Sequence, residues 1–321
     1  MQIDRRGLIL GSAASAICAS TLPGCVPIDA STAGRLAAKL RIIEAASGGV
    51  LGVSVRHVGT GRTLDYRADQ RFAQCSSFKF SLAAMVLKMG QDGQLDLSEK
   101  LHWSRSELMA TSPFTASRID QGATVLELAE NTQTYSDNTA ANVLLARLGR
   151  ATGLGGPAAL TRFWRSLGDD VSRLDRTEPA LNNVPPGEIR DTTSPAAMAL
   201  TTEKILFGDV LSASNSALLQ QWMADTRTGV RRVRAGLPAD WRAGDKTGTS
   251  IWPGTGGIYV DIGFASPAGT SDPRQMLTFA TYLRTIRPQA EMDPASEDVL
   301  AQVGRVIAQF SNDRRTYQAP V

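Results

Sequence analysis

Apolar residues recur at helical spacing from Thr32 to Ala46, with Leu36, Leu40 and Ile43 on one face. Gly48-Gly49 ends that helix. Val50 to Val58 then reads as a strand, Gly59-Thr60-Gly61 as a turn, and Arg62 to Tyr66 as its return, which makes a β-hairpin. A near-continuous apolar run, Phe80 to Leu87, predicts a buried helix starting at about Ser76. Residues 88–135 read as mostly helical, broken near Gly93 and at Thr111-Ser112-Pro113. Another helix begins near Asn138, with Ala141, Leu144, Leu145 and Leu148 facing a core, and the Gly-rich stretch Gly149 to Pro157 is expected to break it.

From Leu174 to Thr193 the periodicity disappears, and the segment holds Pro185-Pro186 and Gly187. A long irregular loop in a compact domain is usually functional. Ser194-Pro195 carries the N-cap and first-turn proline pattern of a new helix. Strand-like segments follow at Arg242 to Ser250, Gly257 to Ser266 and Gln275 to Arg284, then an amphipathic helix from about Ser296 to Phe310. Strands toward both ends of the chain, with helices between, predict an antiparallel sheet assembled from the termini. The fold class is therefore α/β in the α+β sense, with a helical region over about 75–225.

Composition narrows the function. The chain has 321 residues, 42% hydrophobic and 20% charged, enough for a sizeable core. A formal charge of +3 is too small to point to nucleic acid. Arg227, Arg231, Arg232 and Arg234 form the clearest basic cluster, and such a cluster is ordinarily a solvated face. Only two histidines are present, His57 and His102, so neither a Ser-His-Asp triad nor a multi-histidine metal site is supported. No cofactor or metal is expected.

Residues 1–25 read as an export signal, which leaves 26–321 as the domain. Arg5-Arg6 precede Gly7-Leu8-Ile9-Leu10 and a run of small residues, a twin-arginine-like pattern. The expected location is periplasmic or exported. Leu22-Pro23-Gly24-Cys25 resembles a lipoprotein processing site; the alternatives are a lipid anchor on Cys25 and plain cleavage nearby. Of the three cysteines, Cys18 and Cys25 lie in this segment, and Cys75 stands alone. No structural disulfide is expected. Cys75 is either a rival nucleophile or a small residue packed behind the site.

The candidate chemistry starts at Ser76-Ser77-Phe78-Lys79. A hydroxyl and an amine three residues apart share a helical face, and a serine needs such a neighbour because its free hydroxyl is a poor nucleophile. Ser136-Asp137-Asn138 lies at a loop-to-helix junction, where a plain N-cap is the alternative. Lys246-Thr247-Gly248 lies in a strand whose glycines allow close backbone approach. Each is weak alone; together, in this order, they are the motif set described for class A β-lactamases and penicillin-binding proteins.

The chain resembles the class A serine β-lactamases over about residues 32–312. Besides the three motifs, the match rests on Arg173 to Asn182, which includes Glu178-Pro179-Ala180-Leu181-Asn182, and on Asp245-Lys246-Thr247-Gly248-Thr249. The resemblance implies that Ser76 attacks the β-lactam carbonyl, helped by Lys79. It implies that Ser136 relays a proton to the leaving nitrogen, and that Glu178 and Asn182 position the deacylating water. Asn138 would bind the substrate amide, and Lys246, Thr247 and Thr249 its carboxylate. The N–H groups of Ser76 and Thr249 would form an oxyanion hole. Arg232 is expected to reach the substrate carboxylate, and Arg176 with Asp191 to clamp the loop. Thr249 and Ser250 suggest a spectrum that includes cephalosporins. The partner is a small β-lactam and the expected state a monomer. The alternatives are a penicillin-binding peptidase, a sensor that stays acylated, and a generic serine esterase. Glu178 with Asn182 argues against the first, which would lack a deacylating glutamate; no signalling domain or convincing transmembrane helix is read for the second, and Lys246-Thr247-Gly248 gives the third no support.

Overall fold

The computed structural model describes residues 30–252, 256–270 and 272–311, without the side chains of residues 30–32. The expected export signal, Cys18 and Cys25 lie outside the described residues.

Five strands form one antiparallel sheet: β1 (Gly49–His57), β2 (Thr63–Tyr66), β3 (Arg242–Ser250), β4 (Gly256–Ser266) and β5 (Leu277–Pro288). Their spatial order is β2-β1-β5-β4-β3, so the sheet joins the two ends of the described chain. On one face pack α1 (Ala30–Ser47) and the C-terminal helix Pro294–Ser311. Their Leu36, Leu40, Leu300, Val303 and Ile307 form a core with Leu51, Val53, Phe279 and Leu283. The other face meets the helical part, whose centre is α2 (Phe78–Gln91). Every residue of α2 from Phe78 to Leu87 is buried, as the apolar run predicted. The antiparallel sheet flanked by helices is the expected fold class.

The structure departs from the sequence reading in three places. Residues 92–124 are mostly non-helical: two short strands, Lys100–Leu101 and Ala123–Thr124, pair with each other, and only Pro113–Ser117 forms a short α-helix. Gly93 and Gly122 both take positive φ there, which stops helix propagation. The helix starting at Asn138 continues through Gly149 to Thr152. Gly149 does not break it; a Cβ there would lie 2.9 Å from the backbone N of Gly156, so the missing side chain lets the next helix approach. The stop is Gly153, at φ +69°. The following helix, Gly156–Ser166, is absent from the sequence reading, although Pro157 in its first turn is a start signal.

Candidate active site

The site lies where β3, the turn before α2, the start of the Asn138–Thr152 helix and the irregular loop meet. Ser76 sits in a 3-10 turn, Cys75–Ser77, and α2 begins only at Phe78. Cys75 is held at φ +44°. Ser76 and Lys79 still face each other: the Lys79 Nζ lies 2.9 Å from Ser76 Oγ.

Strand β3 supplies two sets of groups because its side chains alternate. Lys246, Gly248 and Ser250 face the helical part, where they meet Ser136, Cys75 and the Asn182 carbonyl. Asp245, Thr247 and Thr249 alternate with them, and their side chains bond to Arg234, Thr228 and Arg232.

Ser136 occupies the left-handed region, at φ +59°. Asp137 is the N-cap of the next helix, accepting from the Ala140 N–H at 2.8 Å, so the plain capping reading holds for this residue. Its carboxylate also accepts from the N–H groups of Phe114 and Thr115, which pins the neighbouring segment. With Asp137 so fixed, Ser136 and Asn138 turn toward Lys79. The Lys79 ammonium donates to Ser136 O at 2.9 Å and to Asn138 Oδ1, and pairs with Glu178 Oε1 at 3.0 Å. Lys246 Nζ donates to Ser136 Oγ at 3.0 Å and to its neighbour's carbonyl, Thr247 O, at 2.7 Å.

Glu178 is buried and lies on the irregular loop. Its Oε1 is 3.3 Å from Ser76 Oγ, and its Oε2 accepts from Asn182 Nδ2 at 2.6 Å. The peptide bond to Pro179 is cis. Two tethers hold the loop. Arg176 Nε meets Asp191 Oδ2 at 2.5 Å, as the clamp reading has it, and Asp191 Oδ1 also accepts the N–H groups of Asp175 and Arg176. The second tether was not legible as a role in the sequence. Asn142 brackets Glu178, donating to its carbonyl at 2.9 Å and accepting from its N–H at 3.0 Å. In sequence it closes the stretch Tyr135 to Asn142 that matches the family, and its position four residues after Asn138 places both on one helix face.

Both lysines are fully buried, and burial pulls both away from the protonated form. The Glu178 carboxylate pulls Lys79 partly back, whereas the charge of Lys79 depresses Lys246 further. Among the described residues Lys246 has no carboxylate within salt-bridge distance, which leaves its amine facing the cleft without an acidic partner. Cys75 is buried, and burial pushes its thiol pKa up, so it stays a protonated, inert thiol and not a rival nucleophile.

Arg232 is the residue expected to reach the substrate carboxylate. It is buried behind β3, pairs with Glu297 at 3.2 Å, donates to the carbonyls of Gly248 and Val260 at 2.8 Å each, and stacks over Tyr259. Its remaining reach toward the cleft goes through Thr249, to whose Oγ1 it donates at 2.6 Å. The basic cluster is thus split. Arg227 and Arg231 are exposed, whereas Arg234 pairs with the buried Asp245 at 2.6 Å.

Comparison with known proteins decides the family. Residues 35–311 match the β-lactamase enzyme family. A β-lactamase of Streptomyces fradiae is 39% identical over 315 residues, covering 96% of this chain and 97% of that protein. One from Mycobacterium tuberculosis H37Rv is 42% identical, over 78% of this chain and 84% of that protein. Among solved structures, the class A β-lactamase of the last common ancestor of Gram-negative bacteria superposes with a TM-score of 0.78. It is 45% identical, covering 86% of this chain and 98% of that one. The chain belongs to the class A β-lactamases. A β-lactamase from Desulfarculus baarsii superposes equally well, with a TM-score of 0.79 at 36% identity over 87% of this chain and 98% of that one.

In this serine β-lactamase the distance from β3 to the Ser76 turn is set by a glycine. A Cβ on Gly248 would lie 2.9 Å from the Cys75 Cβ and 3.0 Å from both the Gln74 carbonyl oxygen and the Ser76 nitrogen. Two of those three atoms are backbone, so the strand would have to move away from the turn. Gly248→Ala is expected to cost about 1–3 kcal/mol of stability as an overpacked site. It should lower acylation further than stability alone explains, because the N–H groups of Ser76 and Thr249 separate. A melting curve beside single-turnover acylation checks both parts; normal acylation in a folded variant would contradict the coupling.

Proposed function

We propose that this β-lactamase hydrolyses its substrates through an acyl-enzyme on Ser76, cleared by a water that Glu178 and Asn182 activate. One observation carries the reading: Ser76 Oγ, Lys79 Nζ and Glu178 Oε1 lie mutually within 3.3 Å, with both charged partners buried. Lys79 donates in this arrangement, so the Ser76 hydroxyl is free to give its proton toward Glu178. Burial makes Lys79 ready to shed its own proton, so either group can serve as the base.

Ser136 Oγ accepts from Lys246, which leaves its hydroxyl proton available for the leaving ring nitrogen. Lys246 lacks an acidic partner, so a substrate carboxylate beside it would favour its ammonium form and pair with it. Thr249 Oγ1 accepts from Arg232, which can only donate, so the threonine O–H is directed to another acceptor; the same carboxylate fits. Thr247, whose hydroxyl pairs with Thr228 at 2.6 Å, completes that pocket. Asn138 would hold the substrate amide while steadying Lys79. The N–H groups of Ser76 and Thr249 would receive the developing oxyanion, a role in which a single donor is worth about 2.7–4 kcal/mol in another serine hydrolase. Cephalosporins are included in the proposed substrate class on the strength of Thr249 and Ser250. Peptide mapping after brief exposure to a slow β-lactam tests the route. The adduct mass should fall on the peptide holding Ser76, and an adduct elsewhere would overturn it.

The role of Lys79 has a pH signature. The Glu178 carboxylate favours the ammonium form, so its removal drops the Lys79 pKa further below the ordinary lysine range. In Glu178→Ala, acylation should rise with pH as Lys79 loses its proton, with a midpoint below the ordinary lysine range. A flat profile in stopped-flow acylation would remove Lys79 as a base.

We further propose that the chain is exported to the periplasm, is anchored by lipid on Cys25 and acts as a monomer. Arg5-Arg6, the short apolar run and Leu22-Pro23-Gly24-Cys25 support this. One acyl chain binds membranes only marginally, so firm anchoring needs more than one. Intact mass of protein from the membrane fraction tests the modification, and sedimentation of the released form tests the monomer.

A further inference from the structure

A half-open cavity of about 290 Å³ lies between the irregular loop and the sheet, and it shares no lining residue with the catalytic cleft. Its apolar lining includes Phe72, Val184, Ile189 and Ile258. Phe72, Val184 and Ile258 are nearly fully buried, whereas Ile189 is 51% exposed at the rim. Arg71 and Arg284 line the same space. Arg71 donates only to neutral acceptors, Val171 O at 2.9 Å and Thr192 Oγ1 at 3.0 Å. Arg284 is half-buried on β5 and has no side-chain hydrogen bond or ion pair among the described residues.

One carboxylate, Glu188, also lines the cavity, but it is already saturated. It accepts from the N–H groups of Ile189 and Arg190 and pairs with the Arg190 guanidinium at 2.6 Å. The lining therefore carries two cations without an acidic partner beside a compact apolar wall. Arginine forks suit carboxylates, and a small apolar body would cover the isoleucines and phenylalanine.

We propose that this cavity binds a compact apolar monocarboxylate, with its head group on Arg284 and Arg71 and its body against Phe72, Val184, Ile189 and Ile258. The ligand would bridge two segments that lead directly to the chemistry. Val184 follows Asn182 by two residues, and Phe72-Ala73, paired with Thr193 and Thr192, precede Ser76. Occupancy would therefore restrain the loop that carries Glu178 from a site outside the cleft. The proposal is independent of the acyl-enzyme route, since it predicts binding and not turnover.

The probe is β-naphthoate, compared with the neutral β-naphthamide on the intact protein. Hydrogen exchange should slow at least twofold over residues 184–189 with β-naphthoate, and titration should show at least about tenfold weaker binding of the amide. Arg284→Met should weaken β-naphthoate by a similar factor while leaving β-lactam turnover unchanged. Ile189→Asp, a change at an exposed rim position, should do the same by placing a like charge beside the ligand. Equal binding of acid and amide would overturn the proposal, as would undiminished binding by both variants or protection centred on Ser76 and Lys246.

Discussion

Glu178→Ala is expected to acylate on Ser76 and then stall, with steady-state hydrolysis down by on the order of 10²–10⁴-fold, the range of a positioned acid or base. The expectation follows from what the carboxylate touches. Its Oε1 faces Ser76 and Lys79, and its Oε2 is held by Asn182 at 2.6 Å, so the group is aimed at the side from which water must reach an ester on Ser76. Alanine removes the acceptor but leaves Ser76, Lys79 and Ser136 in contact, so the first half of the reaction keeps its parts. Acylation should slow to the extent that Glu178 shares the base role. The stalled ester should be visible by mass spectrometry for minutes after substrate is exhausted. A variant that turns over normally would remove Glu178 from the mechanism. One that never acylates would make it the sole acylation base.

Ser76→Ala is expected to have the largest effect on rate, a loss on the order of 10⁶ in kcat by analogy with removal of the nucleophile in another serine hydrolase. Binding should survive it. The amine of Lys246, with Thr247 and Thr249, lies on β3 and does not depend on the Ser76 side chain. A Kd near that of the wild-type complex, together with lost turnover, separates the nucleophile from the binding groups. Loss of both would mean that the serine instead holds the site together, through its contact with Lys79.

Much of this site was legible because its chemistry is local. Ser76 and Lys79 are one turn apart, and that spacing survives even though the turn is 3-10 and the helix starts two residues later. The loop was legible from the loss of periodicity after Leu174, and its clamp from the resemblance. Tertiary commitments were not legible. Arg232 is expected from the sequence at the substrate carboxylate, yet its guanidinium is engaged by Glu297, two carbonyls and Thr249. Asn142 looks like any polar helix residue, and its role exists only because the Glu178 backbone comes to lie beside it. Gly149 reads as a helix breaker, but its glycine serves a neighbouring helix's approach and Gly153 makes the turn. Propensity reports what a residue does to its own segment; these three positions answer to another one.

The central claim is repeated turnover, which distinguishes hydrolysis from an acylated end state. Purified protein mixed with a large molar excess of nitrocefin should produce chromophore steadily until the substrate is consumed, far beyond one equivalent per Ser76. A burst equal to the protein concentration, followed by no further colour, would contradict the account and favour a peptidase or sensor that keeps its acyl group.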